Sequence, residues 1–365
     1  MSKKTSKLVL EKLRGAASAV VSEIQKGKNP SIDIPLRTLA NVKWNEKRSI
    51  IEMGKATQER YFFNVAMAKK FMQTFLVAEE CQKLLGSEKT ASLRDLFYMA
   101  KRSIGGMQEN TFEEQVESDE IIEDLEVGVN ALREELHLKA DKRGSLVGDL
   151  IFTDKGDTID GRRMGSGGWA IPSIVEPEVV EFKRCDAKFV LLVEKAASWD
   201  RLNEDKFWQK HHCILLTGEG QPPRGVRRLL YRFVNELKLP LYVFVDNDPW
   251  GYYIYSVIKQ GSINLAYESV RMAVPQARFL GLSSFDRERF GLGKEVIIKL
   301  NDQDISRAKQ IMGYPWFQKK EWQREIQKML KEGVKMELQA LSSKGISFVS
   351  EEYLPRKIRD KDFLD

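Results

Sequence analysis

Apolar residues along the chain keep two different rhythms. Over 10–24, Leu10, Leu13, Ala17, Val20 and Ile24 recur at spacings of three and four, a narrow helical seam of the coiled-coil kind. The run stops near Lys26-Gly27-Lys28-Asn29-Pro30, a cluster of helix-ending residues. Such a seam packs on its own domain or meets another chain, and the spacing leaves both open. A second helix is predicted over roughly 55–86, ending at Gly86. A third starts at Ser92, where Ser92-Leu-Arg-Asp95 reads as a capping box with Asp at its third position. That helix is predicted to run on to Gly105-Gly106, and a fourth, very acidic one to cover about 111–136. Short strands are predicted at Ser145–Thr153 and Ala170–Val175, on either side of the Gly-rich turn Gly161–Gly168. Three helices followed by a short strand pair is the pattern of a winged-helix DNA-binding unit, although other small helical domains share it.

From about 178 the rhythm changes. Phe189–Val193, Cys213–Thr217, Leu241–Val245 and Ala277–Leu282 are short, nearly unbroken apolar runs. Between them lie a helical stripe (Val226, Leu229, Leu230, Phe233, Val234, Leu237) and a further helix near 251–260. Buried strands alternating with helices imply a parallel α/β sheet covered on both faces. Residues 303–345 read as helical again. The fold class is therefore multidomain, α+β followed by α/β, with its main boundary near 140–180.

Composition narrows this further. At about 150 residues per domain, 365 residues suggest two or three domains. Hydrophobic residues at 42% and charged residues at 31% exclude a disordered, collagen-like or coiled-coil chain. The longest apolar strings are far short of the ~20 residues a membrane span needs, and the basic N-terminus is followed by no secretory core. Cys81, Cys185 and Cys213 are too scattered for a disulfide framework or a zinc site, so a reducing, cytoplasmic location is expected. Charge is unevenly spread. Residues 1–70 hold 15 Lys and Arg against 6 Asp and Glu, whereas Glu109–Glu126 holds nine acids and no base. That asymmetry is compatible with nucleic-acid contact and equally with solvated faces.

Two of the buried runs end in carboxylates. One reads Phe-Val-Leu-Leu-Val-Glu194, the other Leu-Tyr-Val-Phe-Val-Asp246-Asn-Asp248-Pro-Trp-Gly251. Sites in open α/β sheets form beyond the carboxyl ends of the strands, so Glu194, Asp246 and Asp248 are expected to converge. Clustered oxygen ligands without Cys or His point to Mg²⁺. On the third helix Arg94 and Tyr98 are four residues apart, with Lys101 and Arg102 following, and all four are expected on one face. Cations beside a tyrosine can stabilise its phenolate or grip a phosphodiester, and an activated Tyr can act as a covalent nucleophile. The same Tyr could equally pack beside Leu96 and Phe97. Taken together, a winged helix bearing this Tyr and an acidic Mg²⁺ site are the parts needed to break and rejoin DNA by transesterification. His211-His212 is not expected to bind metal, because neighbours on a strand face opposite sides.

With these residues assembled, the chain resembles a known family. Ser92-Leu-Arg-Asp-Leu-Phe-Tyr98, Val193-Glu-Lys195, Thr217-Gly-Glu-Gly-Gln-Pro222, Asp246-Asn-Asp-Pro-Trp-Gly251 and Lys335-Met-Glu-Leu-Gln-Ala-Leu-Ser-Ser-Lys-Gly345 look like the A subunit of archaeal-type DNA topoisomerase VI. That family also includes the eukaryotic meiotic double-strand-break protein. The resemblance runs in order from about Ile34 to the C-terminus. It implies a catabolite-activator-like winged-helix domain followed by a Toprim Rossmann-like domain. It implies Tyr98 as nucleophile, Arg94 as the basic residue one turn earlier, and Glu194, Asp246 and Asp248 as the Mg²⁺ acids. It also implies duplex DNA as substrate and a head-to-head homodimer in which the Tyr of one protomer faces the acids of the other. An ATPase B subunit would complete an A2B2 heterotetramer that relaxes and decatenates DNA. Gln221 and Pro223 depart from the pattern, which commonly has an aromatic before the loop's proline and an acid after it. Arg224, Arg227 and Arg228 follow that loop and are expected either to hold DNA phosphates or to form a solvated helix face.

The expected organisation is an N-terminal, partner-contacting extension (1–65), a winged-helix domain with the nucleophile (66–145), linking strands (146–180) and a Toprim domain with a helical elaboration (181–365). No phosphate-binding loop of the Gly-x-x-x-x-Gly-Lys-Ser/Thr type is present, so ATP is expected on the partner, with the 10–24 seam and the basic N-terminal segment as the contact. Two rival readings remain at this level: a Toprim-type metal-dependent nuclease with a structural Tyr98, and a non-catalytic winged-helix scaffold.

Overall fold

The computed structural model describes residues 3–106 and 108–365. They form two units, 1–41 with 53–141, and 42–52 with 142–365.

In the first unit, helices α1 (Lys3–Gln25), α2 (Val65–Gly86), α3 (Leu93–Ala100) and α4 (Gln115–Gly128) surround one core. Val9 and Leu13 of α1 are buried in it with Val77, Cys81 and Leu84 of α2, Leu96 and Phe97 of α3, and Ile121 and Leu125 of α4. The α1 seam therefore packs on its own unit, while Val21 and Ile24 stay about half exposed. The helix expected over 55–86 is shorter. Thr57–Tyr61 is a strand paired antiparallel with Ser31–Pro35, and α2 starts only after Asn64, whose side chain accepts from the Ala66 N–H. The acidic helix is also shorter than expected. Its charge is met by Arg37 and Arg60, which both bind Asp124. Ala91–Ser92 pairs with Leu138–Lys139.

The second unit is built on a six-stranded sheet: β1 (Ser145–Gly148), β2 (Trp169–Ala170), β3 (Phe189–Val193), β4 (Cys213–Thr217), β5 (Leu241–Phe244) and β6 (Arg278–Gly281), in the order β2-β1-β4-β3-β5-β6. The four strands β4, β3, β5 and β6 are parallel, and β1 and β2 are antiparallel additions at one edge. Helices α5 (Ala196–Glu204), α6 (Phe207–His211), α7 (Arg224–Asn235) and α8 (Pro249–Gln260) connect them. Every residue of β3 and β4 is buried, as strands covered on both faces must be. The single strand expected over 145–153 is two, β1 and Leu150–Asp154, and the latter joins Asp157–Asp160 and Val180–Cys185 in a separate sheet. They part after Gly148, at φ +142°, where a Cβ would lie 2.3 Å from the Cys213 carbonyl. Of 170–175, only Ala170 is in a strand.

The helical stretch expected over 303–345 is interrupted. Helices α9 (Asp302–Met312) and α10 (Lys320–Glu332) are present. Gly333 then turns left-handed at φ 65°, Val334–Lys335 pairs with Ile298–Lys299, and a 3₁₀ turn covers Leu338–Lys344. This break carries residues 336–339 to the end of β5.

Candidate active site

Glu194 is the first residue after β3, and Asp246 and Asp248 follow β5, its neighbour in the sheet. All three expected acids thus stand just beyond the carboxyl ends of two adjacent strands. Each carboxylate has one oxygen tied to a backbone N–H. Glu194 Oε2 accepts from Asp246 N at 2.9 Å, Asp246 Oδ1 from Leu338 N at 2.8 Å, and Asp248 Oδ1 from Gly251 N at 2.6 Å. The last bond makes Asp248 the N-cap of α8. Gly251 is required here, because a Cβ would stand 2.4 Å from the Asp246 carbonyl oxygen. Lys195 Nζ bridges Asp246 Oδ2 and Glu337 Oε2, both at 2.9 Å, and reaches Gln339 Oε1 at 3.2 Å.

Burial is the main cause that raises all three carboxylates above their ordinary range. Glu194 is pushed up to about 7 by burial and then by the charge of Asp246. Lys195 opposes the rise at Asp246, but a lysine does not neutralise three acids. Among the described residues no three His, Cys, Asp or Glu side chains form a ready-made metal cage. The fit to a divalent cation rests on the donor chemistry: hard carboxylate oxygens, crowded and partly desolvated, whose repulsion a cation relieves. His211 and His212 do not converge. His211 ends α6 with its ring against Phe207, and His212 reaches Asp149 at 3.0 Å.

The capping box of α3 is complete. Asp95 N donates to Ser92 Oγ at 3.0 Å, and Ser92 N to Asp95 Oδ2 at 3.1 Å. Phe97 is buried beneath the helix, whereas Tyr98 is 61% exposed and meets Phe97 edge to face. Packing does not consume the Tyr98 side chain, and among the described residues no hydrogen-bond partner holds its hydroxyl. Arg94, also exposed, lies one turn earlier on the same face.

Lys101 and Arg102 do not extend that face. The helix ends at Ala100, and Lys101 takes an extended conformation. Thr111 replaces the next turn: its Oγ donates to Ala100 O at 2.8 Å and accepts from Arg102 N at 2.9 Å. Lys101 Nζ donates to Glu113 O at 3.1 Å, and Arg102 pairs with Glu80 at 3.0 Å.

The basic run of α7 is corrected in the same way. Arg224 is buried, pairing with Glu268 at 2.9 Å and donating to Tyr267 Oη at 3.0 Å. Arg227 is buried, and loss of solvent pushes its guanidinium down to about 10. Arg228 is held by Glu176 at 2.8 Å and donates to Arg271 O at 3.0 Å. Arg224 and Arg227 are buried, and the part-buried Arg228 is tied to Glu176, so their expected role on DNA phosphates is withdrawn. The loop before them still adjoins the acids, since Gly220 N donates to Glu194 O at 2.8 Å. Gln221 on that loop is exposed. The sequence reasoning missed Lys195, Leu338 and Glu337. Lys195 was signalled only by its place beside Glu194, and Leu338 acts through a backbone N–H that no residue type announces.

Three domain families match the chain in succession. They are the type IIB DNA topoisomerase family over residues 69–138, the all-beta domain of the DNA topoisomerase VI alpha chain over 142–186, and the Toprim domain shared by the topoisomerase 6 A subunit and Spo11 over 189–358. The A subunit of type 2 DNA topoisomerase 6 from Pyrococcus abyssi is 45% identical over 366 residues, spanning 98% of this chain and 95% of that relative. Its counterpart from Aeropyrum pernix is 40% identical, over 95% and 93% of the two chains. The DNA topoisomerase 6 A3 subunit of Oryza sativa subsp. indica is 34% identical, over 98% and 78%. The chain therefore belongs to the family of topoisomerase 6 A subunits.

Proposed function

We propose that the chain is the DNA-cleaving subunit of an ATP-dependent type IIB topoisomerase, with Tyr98 as its nucleophile. In this reading residues 66–145 act as a winged-helix, catabolite-activator-like unit that presents Tyr98 to duplex DNA. Tyr98 Oη attacks a backbone phosphorus, losing its proton as the O–P bond forms. The bond from phosphorus to the 3′ oxygen breaks, and that oxygen leaves as a hydroxyl. The 5′-phosphotyrosine conserves the bond for resealing. Arg94 faces the charge that develops on the phosphate. Glu194, Asp246 and Asp248 would hold Mg²⁺, which when bound supplies Lewis-acid stabilisation of that charge. Two copies of the chain cut the two strands, Tyr98 of one copy acting with the acids of the other. A separate B subunit binds ATP and completes an A2B2 assembly that passes one duplex through the break, in the cytoplasm.

The observation that carries this reading is the gathering of three raised carboxylates at the ends of adjacent parallel strands, in a chain of this family. The test is covalent trapping. The chain and its ATPase partner meet supercoiled plasmid, Mg²⁺ and a non-hydrolysable ATP analogue, and detergent stops the reaction. Protein should be found on 5′ ends and should vanish in Tyr98→Phe. Free ends that persist in Tyr98→Phe would instead establish a metal-dependent nuclease. Mixing Tyr98→Phe and Asp246→Asn protomers tests the exchange between copies. One intact site per mixed dimer should give nicks, and their absence would reject it.

A further inference from the structure

Asn247 stands between the two acids Asp246 and Asp248 and is fixed by atoms distant in sequence. Its backbone bonds Met336 in both directions, N to O at 2.9 Å and O to N at 3.0 Å. That bridge makes the segment locally extended, so Asn247 points to the side opposite its two neighbours. Its side chain is buried. Asn247 Nδ2 lies 2.5 Å from Tyr252 Oη, 3.1 Å from Ser284 Oγ and 3.4 Å from Glu325 Oε1. Glu325, on α10, is 1% exposed. Its Oε1 accepts from Tyr252 Oη at 2.6 Å and from Ser284 N at 2.5 Å. The Tyr252 proton is thereby committed to Glu325, which leaves the Tyr252 oxygen as the acceptor for the Asn247 amide. The Tyr252 ring cannot swing away, being packed edge to face on Phe279 and Trp322 at 5.6 and 5.4 Å.

We infer that Glu325 is a positioning residue for the metal-binding loop, acting through Tyr252, Ser284 and Asn247 to hold Asp246 and Asp248 toward the cation. The inference rests on the metal-site reading above. Burying a carboxylate is costly, and here all the bonds fall on Oε1 while Oε2 is buried with no hydrogen-bond partner among the described residues. Its bonds converge on the residue that decides where two of the three acids point. Partners of this kind, behind the ligands, typically change metal affinity ~10–100-fold when removed.

The test is Mn²⁺ titration of the full chain without DNA, followed by calorimetry or electron paramagnetic resonance. Glu325→Leu removes the carboxylate. Tyr252→Phe removes only the relaying hydroxyl and keeps the aromatic packing, so it decides the matter if Glu325→Leu does not fold. Both are expected to weaken Mn²⁺ binding ~10-fold or more, and the Mg²⁺ midpoint for covalent trapping should rise in parallel. Glu325→Gln, which keeps an acceptor oxygen for Ser284 N, should recover most of the affinity. Wild-type Mn²⁺ affinity in folded Glu325→Leu or Tyr252→Phe would overturn the inference. So would a lower trapping yield at saturating Mg²⁺ with an unmoved midpoint. Asp246→Asn separates this from the underlying reading: if Mn²⁺ binding survives that change, the metal site itself has been misplaced.

Discussion

Glu194→Gln should stabilise the metal-free chain while abolishing its function. Glu194 is held at about 7 against an ordinary 4.5 by burial and by Asp246. Between these values the folded state keeps a proton that the unfolded state has lost. Stability of the metal-free chain therefore falls as pH rises from about 4.5 through about 7. Above pH 7 the accumulated cost is about 3 kcal/mol, and at pH 5 it is under about 1 kcal/mol. Gln has nearly the same shape, and its carbonyl oxygen can still accept from Asp246 N, the bond Glu194 makes at 2.9 Å. It carries no charge to desolvate. In chelator at pH 8, Glu194→Gln should raise the unfolding midpoint by ~6–12 °C, taking about 2–4 °C per kcal/mol. Most of that gain should disappear at pH 5. Scanning calorimetry of both proteins at the two pH values makes the measurement. A variant no more stable than wild type at pH 8 would refute the reasoning. A gain of equal size at pH 5 would refute it too, because ionisation would then not be the cause.

The same proton opposes metal. Apparent Mn²⁺ affinity should drop ~10-fold from pH 8 to pH 6, as a bound proton must be displaced below about pH 7; a flat profile by calorimetry would contradict the raised Glu194. Arg228→Ala breaks the pairing with Glu176 and should cost about 2 kcal/mol, discounting a buried pair for its partial exposure. The salt dependence of its DNA binding should match wild type. A slope smaller by ~0.9 would mean a lost phosphate contact and would restore the expectation withdrawn above. Val21→Ser with Ile24→Ser, at half-exposed positions of α1, should weaken capture of the ATPase partner without lowering the melting temperature, and unchanged capture in a pull-down would remove α1 from that interface.

What the sequence disclosed follows from which side chains decide each element. β3, β4 and β5 were legible because strands covered on both faces need unbroken apolar runs. Thr57–Tyr61 was not, since its residues are exposed or half-exposed and show no apolar alternation. The three acids were legible because sites gather at the carboxyl ends of parallel strands. Glu325 was not, because 78 residues separate it from Asn247 and only tertiary packing brings them together. Arg224, Arg227 and Arg228 misled for a related reason. A basic run on a helix resembles a DNA grip until the packing shows which faces are covered. Here Glu176 and Glu268 supply the counter-charges from elsewhere in the chain.

The division of labour within each carboxylate decides how the acids should be probed. Asp246 gives Oδ1 to Leu338 N and Oδ2 to Lys195, so it is both a ligand candidate and a pin for the segment that follows Gly333. Asp246→Asn keeps an oxygen for Leu338 N, and Lys195 retains Glu337 and Gln339. Asp246→Ala leaves a buried N–H without an acceptor, at a cost of about 1–3 kcal/mol. Both variants should lose Mn²⁺ binding, but only Asp246→Ala should lose stability in chelator and loosen residues 336–339, read as faster amide exchange there. Equal stability of the two would mean that Leu338 finds another acceptor, and that the C-terminal segment is held at the site by Lys195 and the Asn247 bridge alone.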